Sequence, residues 1–202
     1  MKRGHVYTLF FMTILTAVLV FALAAAYEAF KPSITTNKLL QEQRAVLYAL
    51  GIDDDLSDEE VRTRYAESVQ PGAVGGITEA YGQPVLAHME GGNAIAYAVP
   101  FEGSGLWGSL RGYLGITADL TETRGLVFTY QNETPGLGGR IDESWFKEQF
   151  RNLPIAAGVE LAYGANPEYK IDAVTGATQT SSAVMRTINK SLSEIVFPKE
   201  VK

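Results

Sequence analysis

Between Pro84 and Gln131 the chain reads PVLAHMEGGNAIAYAVPFEGSGLWGSLRGYLGITADLTETRGLVFTYQ, and this stretch decides the fold class. Four runs rich in β-branched, aromatic and small apolar residues, Pro84 to Met89, Asn93 to Val99, Gly112 to Thr117 and Gly125 to Gln131, are parted by EGG, FEGSG and TADLTET. Runs this short, separated by glycine and polar residues, predict an antiparallel meander. Helices do not alternate with the strands, so the pattern is α+β rather than a βαβ repeat.

The helices lie on either side of the meander. Upstream, after a short link containing Pro32, the residues Leu39, Leu40, Gln43, Val46, Leu47 and Leu50 recur at helical spacing over Thr35 to Leu50, with Gly51 as the stop. Ser57 and Glu60 form a capping box for a second, mostly polar helix, SDEEVRTRYAESV, that ends before Pro71. Downstream, Asp142 to Arg151 reads as a short helix around Trp145, Phe146 and Phe150. Val159 to Tyr163 and Tyr169 to Val174 read as strands, and a long helix from about Thr180 to Val196 follows. The prediction is a single domain, an antiparallel sheet with flanking helices.

Before that domain, Val6 to Tyr27 reads VYTLFFMTILTAVLVFALAAAY, 22 residues without a formal charge. A helix of that length crosses the ~30 Å hydrocarbon layer. Ala22, Ala24, Ala25 and Ala26 would suit a signal-peptide cleavage site, but a signal peptide's apolar region is only ~7 to 15 residues, so an uncleaved anchor is the better reading. Lys2 and Arg3 before the segment and Glu28 after it place the N-terminus in the cytoplasm. The organisation is a cytoplasmic N-terminus (1–5), a transmembrane anchor (6–27) and an extracytoplasmic domain (28–202) at the inner (plasma) membrane.

Composition narrows the chemistry. The 202 residues carry 17 Lys and Arg against 23 Asp and Glu, a formal charge of -6, which argues against tracking nucleic-acid phosphates. The absence of cysteine excludes a thiolate nucleophile, an iron–sulfur cluster and a Cys-ligated metal. His5 and His88 lie too far apart in sequence to suggest a metal site, and the run Asp53-Asp54-Asp55 with Asp58 and Glu59 lacks the ligand spacing of a calcium loop. No metal is predicted, and redox or transfer chemistry would need an organic cofactor.

Three loops could hold one. Asp172-Ala173-Val174-Thr175-Gly176-Ala177-Thr178-Gln179-Thr180-Ser181-Ser182 runs from a strand through a hydroxyl-rich turn into the last helix, whose start offers free N–H groups to a phosphate. Ordinary helix capping would select the same hydroxyls. Glu133-Thr134-Pro135-Gly136-Leu137-Gly138-Gly139 contains a Pro-Gly turn, and Leu137 there calls for something flat to cover it. Gly103-Ser104-Gly105-Leu106-Trp107-Gly108 is a third glycine loop, with Trp107 either at a ligand or in the core. Together the loops suit a planar, phosphorylated cofactor; taken singly, each is also an ordinary turn.

These motifs, in this order, resemble the flavin-carrying subunit family shared by the sodium-translocating NADH:quinone oxidoreductase (its C subunit) and the Rnf electron-transport complex (its G subunit). The resemblance rests on Gly105-Leu106-Trp107-Gly108 with Gly112-Tyr113-Leu114, on Glu133 to Gly139, and on Asp172 with Thr175-Gly176-Ala177-Thr178; the anchor and the helix with Asn37, Gln43 and Arg44 also fit. GLWG, Gly139 and Trp145 are nearer the quinone-oxidoreductase branch.

The resemblance implies FMN joined through its phosphate to the Thr178 hydroxyl by a separate flavin transferase that recognises Asp172 through Thr178. It also implies a cofactor site drawn from Asp172, Thr175, Gly176, Ala177, Thr180, Ser181, Leu106, Trp107, Glu133, Thr134, Pro135, Gly136, Leu137 and Gly138. The function it implies is an electron carrier, with no catalytic residue of its own, among the other membrane subunits of an ion-translocating redox complex, sodium transport being the oxidoreductase case. The alternatives are an FMN-binding domain of another exported electron-transfer chain and a cofactor-free, membrane-anchored binding module.

Overall fold

The computed structural model describes residues 2–52, 55–165 and 169–198. Helix α1 is Lys2–Ala49 and α2 is Asp58–Ser68. Strand β1 is Val69–Pro71, β2 Glu79–Ala80, β3 Gln83–Pro84, β4 Leu86–Glu90, β5 Asn93–Ser104, β6 Ser109–Thr117 and β7 Thr123–Tyr130. A 3-10 turn at Gly138–Asp142, the one-turn helix α3 at Ser144–Lys147 and a second 3-10 turn at Glu148–Phe150 follow. The two-residue strands β8 (Gly164–Ala165) and β9 (Lys170–Ile171) precede α4 (Thr178–Ser191), which continues as a π turn over Leu192–Val196.

The chain divides at Gln41 into two units. In the first, α1 is long and apolar enough to cross a membrane, and side chains such as Phe10 and Phe21 are exposed along it. Pro32 lies inside the helix instead of in a link. An interior proline lacks the N–H for its own helix bond and crowds the carbonyl four residues back, yet α1 runs through Pro32 without a break.

The second unit begins at Glu42. All pairings in its five-stranded sheet, ordered β1-β4-β5-β6-β7, are antiparallel, as the sequence predicts. Side chains alternate across a strand, so Val99, Phe101, Leu110, Leu114, Ile116 and Leu126 share one face. There they join Ile188, Leu192 and Ile195 of the last helix in a single buried cluster. The other face meets the end of α1, where Val46, Leu47 and Leu50 are buried and the Tyr113 hydroxyl reaches Glu42 at 3.5 Å. Gly51 ends α1 at φ +77°, and Ile52 N–H bonds Leu47 C=O at 3.0 Å, a left-handed cap that a residue with a Cβ adopts only with strain. Ser57 and Glu60 form the predicted capping box. Of the acidic run, Asp53 and Asp54 lie outside the described residues, while Asp58 and Glu59 occupy the first turn of α2 together with Glu60, where negative charge suits the helix dipole.

Further sequence expectations need correction, among them Tyr169 to Val174, of which only Lys170–Ile171 is strand. FEGSG is not a turn: Phe101 to Ser104 stay in β5, paired with Ser109 to Gly112, and the chain reverses at Gly105 to Gly108. Asp142 to Arg151 is broken into 3-10, α and 3-10 pieces instead of one helix. Val159 to Tyr163 is not a strand, because the Leu161 backbone bonds the Asn189 carboxamide, N–H to Oδ1 at 2.9 Å and C=O from Nδ2 at 2.8 Å.

Candidate cofactor site

The β5–β6 hairpin closes with Gly105 N–H on Gly108 C=O at 2.7 Å. Its tip turns the N–H groups of Leu106 and Trp107 toward Glu133 Oε1, at 2.8 and 3.0 Å. Both side chains at the tip stay bare, Leu106 at 49% and Trp107 at 68% exposure, so the core alternative for Trp107 does not hold.

After β7, Gln131 Oε1 accepts the Glu133 N–H at 2.7 Å, and Leu137 N–H bonds Thr134 C=O at 3.1 Å across Pro135 and Gly136. Gly136 has φ +74°, as the third position of a type II turn requires. The turn leaves Leu137 exposed.

The third segment enters α4. Ala177 N–H bonds Val174 C=O at 3.0 Å, and the buried Ser181 hydroxyl accepts Val174 N–H at 3.0 Å and donates to Ala177 C=O at 3.1 Å. Ser181 therefore fixes the turn from beneath. No side chain caps the helix at Ala177, so its first N–H groups are left for solvent or a ligand.

Glu133 ties the three segments together. While Oε1 holds the hairpin tip, Oε2 accepts the Thr180 hydroxyl at 2.6 Å, and the residue is only 5% exposed. Gly138 permits this contact: a Cβ there would fall 2.6 Å from Thr180 Oγ1 and 2.8 Å from Glu133 Oε2.

The result is a cleft of about 340 Å³ with Leu106, Trp107, Glu133, Thr134, Leu137 and Gly138 on one side. Gly176, Ala177, Thr178, Gln179 and Thr180 line the other. Its size falls in the range of small-molecule sites, and the bare Leu106, Trp107 and Leu137 offer apolar surface to a flat ligand. Thr178 opens α4 with an exposed side chain, so its hydroxyl is presented to the cleft at the positive end of the helix dipole. An aromatic ring system bearing a phosphate fits this combination.

Not every residue named from the sequence lines the cleft. Pro135, Gly136 and Thr175 are exposed on their turns but outside it, and Ser181 lies beneath it. Asp172 faces solvent, where its carboxylate pairs with Lys170 at 2.9 Å. Two contributors went unrecognised. Gln179, between two hydroxyl residues of the motif, lines the cleft, and Gln149 grips the Asp172 backbone from 23 residues away. The motif's position could have flagged Gln179; no local signal marks Gln149.

Residues 105–193, which supply all three segments, match the family model of the FMN-binding domain. The chain is 30% identical over 143 residues to the C subunit of the Na(+)-translocating NADH-quinone reductase of Pasteurella multocida, covering 67% of this chain and 49% of that one. It is 29% identical over 188 residues to the G subunit of the ion-translocating oxidoreductase complex of Methanosarcina acetivorans, covering 90% of this chain and 92% of that one. The chain thus spans about half the length of the Pasteurella relative and nearly all of the Methanosarcina relative. The crystal structure of the corresponding NADH-quinone reductase C subunit from Parabacteroides distasonis superposes with a TM-score of 0.66 over 83% of this chain and 96% of that one, at 24% identity. The two share a fold.

Proposed function

We propose, for a chain that belongs to the FMN-binding-domain family and is homologous to the C and G subunits just named, that it carries FMN covalently on Thr178 and serves as an electron carrier in a membrane-bound, ion-translocating redox complex. One observation carries the choice of attachment point. Of the four hydroxyl residues that begin α4, Thr178 is exposed at the cleft, Thr180 and Ser181 are at most 1% exposed and bonded to Glu133, Val174 and Ala177, and the half-buried Ser182 does not line the cleft.

When bound, FMN supplies the one- and two-electron chemistry. The chain's own residues hold and orient it. Leu106, Trp107 and Leu137 cover apolar ring surface, the start of α4 receives the phosphate, and Glu133 keeps the segments in register. The exposed Asp172 is available to an external flavin transferase instead of the cofactor. In this reading α1 is a single-pass anchor with a cytoplasmic N-terminus. The FMN domain then lies on the extracytoplasmic side, against other membrane subunits of the complex.

The test is co-expression of the full chain with a flavin transferase, followed by denaturing gel electrophoresis. Flavin fluorescence should travel with the protein and vanish in Thr178→Ala, whose unfolding transition should match the parent. Peptide mapping that places FMN on Thr180 or Ser181 would defeat the assignment.

A further inference from the structure

Among the described residues, no side chain lining the cleft is cationic. Its single formally charged group is Glu133, which accepts three hydrogen bonds, donates none and enters no ion pair among the described residues. That is an unusual endowment for a phosphate site. A helix N-terminus is equivalent to roughly half an elementary positive charge, whereas the carboxylate carries a full negative one. Glu133, Thr178 and Thr180 line the same cleft, with Thr180 bonded to Glu133 at 2.6 Å, so a phosphate at Thr178 shares that cleft with the carboxylate. A phosphate monoester brings a charge of about −1.5 to −2 at neutral pH.

Resting on the reading of this cleft as the flavin site, we propose that Glu133 makes the cleft selective against free FMN: without a covalent bond, it takes a flavin lacking the phosphate more readily than one bearing it. The apolar walls and the hairpin tip, which Glu133 holds in place, act on the ring system common to both ligands, whereas the charge of the carboxylate tells the phosphate apart. Retention of FMN therefore falls to the bond at Thr178, not to charge.

The test uses the full chain purified without a transferase, titrated with riboflavin and with FMN while quenching of flavin fluorescence is followed. Riboflavin should bind ~tenfold more tightly than FMN at low salt, and the gap should narrow at high salt, where screening weakens the repulsion. Glu133→Gln removes the charge; relative to riboflavin, whose own affinity reports any loosening of the hairpin tip, FMN binding should strengthen ~fivefold or more. Tighter binding of FMN than of riboflavin, or an equal effect of Glu133→Gln on both, would overturn the proposal. So would the failure of both flavins to bind. The comparison of the two flavins stands without the Glu133 variant, should that variant fold poorly. Gel fluorescence of the transferase-treated chain reports on covalent attachment separately, so the two readings can fail independently.

Discussion

Gln149 holds Asp172 by both ends of its carboxamide: Oε1 accepts the Asp172 N–H at 2.7 Å, and Nε2 donates to the Asp172 C=O at 3.2 Å. A side chain thus does what a neighbouring strand would do, and it fixes where the turn bearing Thr178 begins. Gln149→Ala should cost about 1–2 kcal/mol of stability, the sum of two ordinary hydrogen bonds, read as a lower denaturant midpoint with an unchanged slope. It should also slow flavin attachment. An unaltered midpoint and attachment rate would reduce the clamp to a surface contact.

Trp107 is exposed, so Trp107→Ala should change stability by no more than ~0.5 kcal/mol. In the flavin-loaded protein it should shift the flavin absorbance or the midpoint potential without preventing attachment. If both spectrum and potential stay unchanged, Trp107 does not meet the ring.

Ser181→Ala removes an acceptor from the buried Val174 N–H. An orphaned buried donor costs ~1–3 kcal/mol, so this variant should unfold earlier than Thr178→Ala, which loses no side-chain hydrogen bond among the described residues. Equal unfolding midpoints for the two would contradict the assigned roles.

Stability should fall at both ends of the pH scale. Burial pushes the Tyr113 hydroxyl up from its ordinary value, with Glu42 adding to the effect, and burial and then Glu148 do the same for Tyr48. A tyrosine whose folded value is raised contributes stability that is intact below its unfolded value of about 10 and lost as pH rises beyond it. Alkaline unfolding should therefore begin near pH ~10, and Tyr113→Phe should blunt it. At the acid end, burial holds the His88 imidazole below its ordinary value, and its Nδ1 is buried without a hydrogen-bond partner among the described residues. The folded protein then binds fewer protons than the unfolded chain as pH falls below ~6.5, and stability declines there. Circular dichroism melts of His88→Gln should show a shallower acid limb.

If α1 is an uncleaved anchor, the protein should stay in washed membranes, and protease added on the outer side should release the FMN domain. A mature chain beginning near Tyr27 would instead identify the alanines as a cleavage site. The compact unit begins at Glu42. A truncation at Gly51 should consequently be insoluble, because it removes the buried Val46, Leu47 and Leu50.

What was legible in the sequence was local. The Ser57–Glu60 box, the Gly51 stop and the meander each depend on residues within a few positions of one another. The extension of β5 through Gly103 was not visible, since glycine and serine there also spell a turn. The deciding fact is that α4 crosses so close that a Cβ on Gly103 would meet Thr187. Val159 to Tyr163 has the composition of a strand, but its partner is one asparagine on a helix 28 residues away. The cleft divides in the same way. The glycines and hydroxyls of the three loops could be read directly, whereas the use of Glu133 by Leu106 and Trp107 spans 27 and 26 residues and appears only once the hairpin and the loop after β7 are side by side.

The borders of the sheet bear on how the protein behaves when crowded against copies of itself. At one border β1 has three residues and ends in Pro71, which has no N–H to offer. At the other, Thr123 at the start of β7 exchanges backbone bonds with Asn152 and Leu153, at 2.8 and 2.9 Å. An open border invites a second chain to add a strand and so seeds aggregates. With one border cut short and the other stitched at its entrance, little unpaired backbone remains at either place to recruit a neighbour. Both features guard the sheet against edge-to-edge pairing between crowded copies.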